Sequence, residues 1–274
     1  LGDLIEIPLD PKRFGRIAAM SAKHVIRQGI REAERGQLLA EYQSKQCDIV
    51  TATVVKTDPR RGNVTVEIGR SEAILPKSEQ VPGEEYKDGD RIKVYVSDVL
   101  NGEKGPKIMI SRVHPGLVKR LFEMNIPEVY DGTVEIKSIS REAGVRSKVA
   151  VTSRDENVDA VGACIGPKGA RVNAVVEELG GEKIDVIRYS DDPAEFVAAA
   201  LSPASVLSVE IDPESPKSCR VVVPDHQLSL AIGNKGHNAR LAARLTGCKI
   251  DIRPESGFPE EEPSESSPET ESSL

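Results

Sequence analysis

The 274-residue chain is 38 % hydrophobic, 30 % charged and only 3 % aromatic, with no Trp, and its formal net charge is −7. So few large rings argue against one massive core, since aromatics bury the most area per side chain, and favour several small cores of Val, Ile, Leu and Ala. As an average, the charge predicts repulsion from nucleic acid and anionic membrane, and no apolar run approaches the ~20 residues of a membrane-spanning helix.

The chain opens on Leu1 rather than Met and shows no signal-peptide pattern, which suggests that sequence precedes it. After an extended start marked by Pro8 and Pro11, residues Ala18, Ala22, Val25, Ile26, Gly29 and Ala33 recur at helical spacing, with His24, Arg27, Arg31 and Arg35 on the opposite face. This pattern predicts an amphipathic helix within residues 1–44, its basic stripe either solvated or facing a partner.

From Cys47 to Arg112 the pattern changes to short strands: Ile49 to Lys56, Val64 to Ile68, Ala73 to Leu75, Arg91 to Val99 and Lys107 to Ser111. Asp58-Pro59-Arg60-Arg61-Gly62-Asn63 and Asn101-Gly102-Glu103-Lys104-Gly105-Pro106 read as turns, because Gly, Asn and Pro supply the backbone angles of tight reversals. Five strands in so short a stretch predict a small closed barrel of OB type over residues 45–112. Lys56, Arg60, Arg61 and Arg70 are candidate phosphate contacts or ordinary solvated loop residues. Tyr86 and Tyr95 are the main aromatics on offer for base stacking, which is therefore expected to be weak.

The most informative feature is an internal repeat. Ala163-Cys164-Ile165-Gly166-Pro167-Lys168-Gly169 precedes a helical stretch, Leu179-Gly180-Gly181 and the strand Lys183-Ile184-Asp185-Val186. Leu230-Ala231-Ile232-Gly233-Asn234-Lys235-Gly236 precedes another helical stretch, Leu245-Thr246-Gly247 and Lys249-Ile250-Asp251-Ile252. Glycines between two helices allow a tight turn and a close backbone approach; the next helix starts there with unpaired N–H groups, and a lysine adds a phosphate-seeking charge. A P-loop needs a different spacing and a hydroxyl, which neither copy has. Upstream of each motif lie a helical segment (Pro115 to Met124; Pro193 to Leu201) and two extended runs (Thr133 to Ile139 with Ser147 to Thr152; Leu207 to Ile211 with Arg220 to Val223). This order resembles the type II KH fold, whose G-x-x-G loop clamps about four nucleotides of single-stranded RNA. Residues 113–190 and 191–254 are the two copies. Arg171, His237, Arg240 and Arg244, just past the loops, are candidate phosphate or base contacts, or else solvated residues.

Residues 255–274 contain seven acidic side chains and no basic one, so residues 1–254 are neutral overall and residues 217–254 carry +5. Seventeen of those last twenty residues are Glu, Ser, Pro or Thr, the composition of a disordered acidic tail. Cys47, Cys164, Cys219 and Cys248 form no C-x-x-C pair and the four His show no metal spacing, so no metal, cofactor or disulfide framework is expected, and no nucleophile–base pairing stands out.

Glu72-Ala73-Ile74-Leu75-Pro76, Glu85-Tyr86, Gly89-Asp90-Arg91-Ile92, Lys104-Gly105-Pro106-Lys107-Ile108 and Ser111-Arg112 look like the S1-type barrel of the bacterial NusA family of transcription factors. With the two KH-like copies, and with Pro11-Lys12-Arg13-Phe14-Gly15-Arg16-Ile17-Ala18-Ala19 similar to the end of that family's N-terminal domain, the resemblance covers most of the chain. It implies a multidomain protein: a partial helical segment, a small all-β OB barrel (S1-type), then two α+β type II KH domains. It further implies a cytoplasmic, monomeric, non-enzymatic factor whose partners are single-stranded RNA, RNA polymerase and other antitermination factors, with no membrane association. Rival readings are the RNA-binding end of a polynucleotide-degrading nuclease, which places one KH unit before its barrel, and a ribosome-associated RNA binder.

Overall fold

The structure, a computed structural model, describes residues 15–102 and 105–257. Of the expected disordered tail, residues 258–274 lie outside the described residues, as does the proline-marked start. The chain divides into two compact units: residues up to Gln80 with Glu85–Arg112, and Val81–Glu84 with residues from Val113 onward.

In the first unit, helix α1 (Arg16–Gln43) runs about ten residues beyond the apolar spacing legible to Ala33. Met20, Val25, Ile26 and Ile30 on it are exposed. Its last turns do different work: Leu38 and Leu39 pack against the barrel core, and Tyr42, 1 % exposed, is part of that core. The Tyr42 hydroxyl donates to the Ile68 carbonyl at 2.6 Å, which satisfies the phenol where the ring is buried.

Strands β1 (Ile49–Thr57), β2 (Val64–Ile68), β3 (Ser71–Leu75), β4 (Arg91–Gly102) and β5 (Gly105–Ser111) close in the order β1-β2-β3-β5-β4, the barrel expected from the alternation. Closure is parallel, by Ile74 opposite Met109 between β3 and β5. Small β-branched residues (Val54, Val64, Val66, Val94, Val96, Ile108, Ile110) fill the interior, so a barrel this narrow needs no large ring except Tyr42.

The second unit contains the repeat. Its first copy is α2 (Pro115–Asn125), α3 (Pro127–Tyr130), β6 (Val134–Glu142), β7 (Arg146–Ser153), α4 (Ala160–Ile165), α5 (Ala170–Glu178) and β8 (Lys183–Arg188). The second is α6 (Pro193–Ala200), β9 (Ser208–Ile211), β10 (Ser218–Val223), α7 (Leu228–Ile232), α8 (His237–Thr246) and β11 (Lys249–Pro254). Each copy folds a three-stranded sheet, β6-β7-β8 and β9-β10-β11, with the first two strands antiparallel and the last parallel to the middle one. The short α3 has no counterpart in the sequence reading, because Pro127 looks like a break although it opens a helix.

The copies share a core. Ala150 and Ile187 of the first sheet belong to the hydrophobic cluster of the second copy, with Phe196, Val197, Leu201 and Leu245. Buried Lys148 spans the junction, donating from Nζ to the Ser202 carbonyl at 2.6 Å and to Asp185 at 3.1 Å. Burial lowers the Lys148 pKa, and the Asp185 carboxylate opposes that shift. At the other end of the first sheet Arg141 and Glu182, 1 % and 0 % exposed, pair at 2.9 Å. Glu182 also accepts from Ser147 Oγ and Gly144 N, so no oxygen of this buried carboxylate lacks a donor.

Candidate nucleic-acid interface

The two glycine loops adopt one backbone conformation. Gly166 (φ 71°, ψ 175°), Lys168 (φ 53°, ψ 25°) and Gly169 (φ 77°, ψ 11°) are matched by Gly233 (φ 75°, ψ 169°), Lys235 (φ 51°, ψ 24°) and Gly236 (φ 72°, ψ 16°). The first glycine of each loop occupies a region that L-residues avoid, which accounts for its identity in both copies. The lysines are the notable members: each is a non-glycine residue in the left-handed region, at an energetic cost, and each is exposed.

Behind each loop a helix begins without a side-chain cap. The N-caps of α5 and α8 are Gly169 and Gly236, whereas α4 and α6 are capped by Asp159 and Asp192. The first N–H of each helix, on Ala170 and His237, turns back onto the Pro167 and Asn234 carbonyls of its own loop, so the positive end of the helix dipole rather than a free donor faces outward there. Ile165 and Ile232, just before the loops, are 38 % and 39 % exposed. Apolar surface, a helix start with no acidic cap and a projecting lysine together make a surface on which a nucleic-acid backbone and its bases fit.

The structure separates the flanking candidates. Arg171 is turned inward: its Nη1 donates to the Ala163 carbonyl at 2.7 Å and pairs with Glu128 at 2.8 Å. Its counterpart 67 residues later is Asn238, 2 % exposed, whose Nδ2 donates to the Leu201 and Ala231 carbonyls at 3.0 Å. Both side chains tie down carbonyls at the end of the helix before the loop. Arg171, a candidate phosphate or base contact or else a solvated residue, is paired here with Glu128 of α3. His237 and Arg240 lie together on Glu142, at 2.8 and 3.4 Å. Arg244 is exposed on α8 and has no ion-pair partner among the described residues. The positions corresponding to Arg240 and Arg244 in α5 are Asn173 and the Glu177–Glu178 step, so the second helix is basic where the first is neutral to acidic.

On the barrel, Lys56, Arg61 and Arg70 are exposed but not gathered. Lys56 and Arg61 flank the β1–β2 turn, whereas Arg70 lies beyond the other end of β2 in the turn to β3. Tyr95 does not serve as a stacking platform: its ring is buried, 7 % exposed. Tyr86 packs partly buried against the barrel core. The Cys164 thiol, enclosed behind the first loop, is pushed up to about 12 by burial, so no nucleophile stands there.

The residues from 1 to 36 match the NusA N-terminal domain, 45–111 the S1 RNA binding domain, 112–189 the NusA-like first KH domain and 193–260 the NusA-like second KH domain. The transcription termination/antitermination protein NusA of Bacillus subtilis is 56 % identical over 255 residues, covering 93 % of this chain and 68 % of that protein. This chain belongs to the NusA family. The NusA proteins of Halalkalibacterium halodurans and Thermus thermophilus are 56 % and 50 % identical over 254 and 250 residues, covering 93 % and 91 % of this chain. The chain spans 66 % and 64 % of the length of those two relatives, about two thirds. Glu128 and Glu142, which engage Arg171, His237 and Arg240, escaped the sequence reading; neither carries a local signal, since each meets its partner only through the fold.

Proposed function

We propose that this member of the NusA family is a non-enzymatic, monomeric, cytoplasmic transcription elongation factor. It holds nascent single-stranded RNA on its two glycine loops while associated with RNA polymerase and other antitermination factors, and so modulates pausing, termination and antitermination. The observation that carries this reading is the pair of loops with the same backbone angles, each offering an exposed lysine ahead of an uncapped helix. Each loop alone is a weak clamp; two loops on one shared core act on a strand by effective concentration, and tethering near the polymerase adds to it. The lysines of the loops with Arg240 and Arg244 are the proposed phosphate contacts, with Gly166, Pro167, Gly169, Gly233, Asn234 and Gly236 shaping the approach. Lys56, Arg61 and Arg70 are proposed as separate, weaker barrel contacts.

The test replaces Pro167-Lys168 and Asn234-Lys235 with Asp pairs and measures binding of a labelled single-stranded RNA by fluorescence anisotropy. The doubly altered chain loses binding and keeps its circular dichroism spectrum. Unchanged affinity overturns the RNA reading. Co-sedimentation with RNA polymerase rather than with ribosomes, and no RNA decay with or without phosphate, are the expected results against the rival readings.

A further inference from the structure

The two loops share a backbone but are not held in the same way. In the first copy the residue five past the loop lysine is Asn173, exposed and placed against Gly169 of its own loop. In the second copy that residue is Arg240, whose Nη2 donates to the Lys235 carbonyl at 3.1 Å. Its Nη1 reaches Glu142 Oε1 at 3.4 Å, and His237 Nδ1 lies 2.8 Å from Glu142 Oε2. Glu142 does not belong to the second copy: it is the last residue of β6 in the first, and its side chain is only 25 % exposed. A connected line therefore runs from the first copy's carboxylate, through Arg240, to the carbonyl of a lysine held in the left-handed region at φ 51°.

We propose that Glu142 is a positioning residue for RNA binding by the second loop. It anchors Arg240 and His237 at the start of α8, and Arg240 holds Lys235 in the strained conformation that projects its ammonium outward. This rests on the RNA reading above and deepens it: the second loop depends on the first copy, while the described residues supply no reciprocal contact from the second copy to the first loop. The second copy's own residue at the corresponding place, Asp212, is exposed, and its carboxylate accepts the Glu214 N–H within its own hairpin turn. Repulsion between the Glu142 carboxylate and RNA phosphate works the other way. That carboxylate is already paired with a guanidinium, and ~0.15–0.3 M salt screens charges beyond ~6–8 Å, so loss of the anchor outweighs relief of repulsion under those conditions.

The experiment uses the full chain and a fluorescein-labelled single-stranded RNA of mixed sequence, at both salt concentrations. Glu142→Ala and Glu142→Gln are each placed in two backgrounds: first loop disabled (Pro167→Asp with Lys168→Asp) and second loop disabled (Asn234→Asp with Lys235→Asp). With the first loop disabled, Glu142→Ala weakens binding by about 3–10-fold, the equivalent of one lost hydrogen bond. Glu142→Gln, which keeps an acceptor oxygen, recovers most of that loss. With the second loop disabled, neither change matters. Tighter binding by Glu142→Ala with the first loop disabled means the carboxylate masks Arg240, and overturns the proposal. So does an equal loss in both backgrounds, which marks general damage to the fold. If the Asp pairs themselves leave affinity unchanged, the RNA reading falls and takes this inference with it; if they abolish it while Glu142→Ala has no effect, only this inference falls.

Discussion

Alanine at Gly233 is expected to be among the most damaging single methyl additions in the chain, and the two glycines of its loop should respond very differently. A Cβ built on Gly233 meets Asn238 Cβ at 2.8 Å and the Asn238 backbone N at 2.9 Å, at a φ of +75°. The backbone conformation alone costs ~1–3 kcal/mol for an L-residue, and the overlap adds ~1–3 kcal/mol because a helix backbone cannot step aside. We therefore expect a loss of about 3–5 kcal/mol, a large part of the ~5–15 kcal/mol that holds a typical domain. At Gly236 the nearest atom is the mobile end of Arg240 at 4.0 Å, so only the left-handed cost of ~1–2 kcal/mol applies. Gly166 lies between: its Cβ meets Arg171 Cγ at 2.7 Å, a side chain able to move at the expense of its bonds to Glu128 and Ala163. Urea unfolding followed by circular dichroism should rank the losses Gly233→Ala, then Gly166→Ala, then Gly236→Ala. Equal losses at Gly233 and Gly236, or near-native stability for Gly233→Ala, would refute the claim that backbone overlap selects glycine there.

Replacing Lys168 and Lys235 by Gly should separate stability from binding: relief of left-handed strain, partly offset by the entropy of Gly, leaves stability equal or higher by roughly 0.5 kcal/mol in denaturant titration. RNA affinity should nevertheless fall, and the slope of log affinity on log salt should drop by ~0.7 per lysine lost. Arg171→Ala and Arg244→Ala should diverge, the first lowering the thermal midpoint by breaking the tie to Ala163 and Glu128, the second leaving it unchanged while weakening RNA binding. For Cys164, burial holds the native thiol up to about 12 while the unfolded thiol titrates near ~8.5. The native state keeps a proton that the unfolded chain releases, so this thiol's contribution to stability falls as pH rises between those values. The stability gap between the parent chain and Cys164→Ala, measured from pH 7.5 to 10, should change in that direction, and native Cys164 should resist alkylation that reaches exposed Cys47.

The parts of the molecule that could be read from its sequence are those whose cause is local. Glycine spacing marks the loop turns and alternation the barrel strands, although β4 and β5 pair on through Asn101, Gly102, Gly105 and Pro106, which had read as a turn. The misreadings share the opposite property. Arg171 reads as a contact or a solvated residue until α3 delivers Glu128 beside it. Tyr95 looks like a stacking ring until the barrel closes over it. The apolar spacing of helix α1 was legible only as far as Ala33, yet Leu38, Leu39 and Tyr42 extend its apolar side into a core whose strands come later in the chain. The sense of each charge was legible, but its partner was not.

Aligning the two sheets by register shows that the two copies present different outer faces. Ser140, Lys148 and Asp185 stand side by side across the first sheet, and Glu210, Arg220 and Asp251 stand side by side across the second. The next row is Ser138, Ala150 and Ile187 in the first and Ser208, Val222 and Arg253 in the second. The first set is small or apolar apart from one ion pair, Lys148 with Asp185, whose cation also caps the Ser202 carbonyl, and this is the face that receives α6 and α8. The second set substitutes Glu for Ser140 and Arg for Ile187, and Arg253 pairs with Asp251 at 2.9 Å in the open. An element packed on this second face as α6 and α8 pack on the first would bury those charges without partners. The shared core thus has a direction, with the first copy as platform and the second as passenger. The Glu142 contact to the start of α8 follows from that same direction, since among the described residues it is the second copy whose glycine loop has its neighbour's sheet edge beside it.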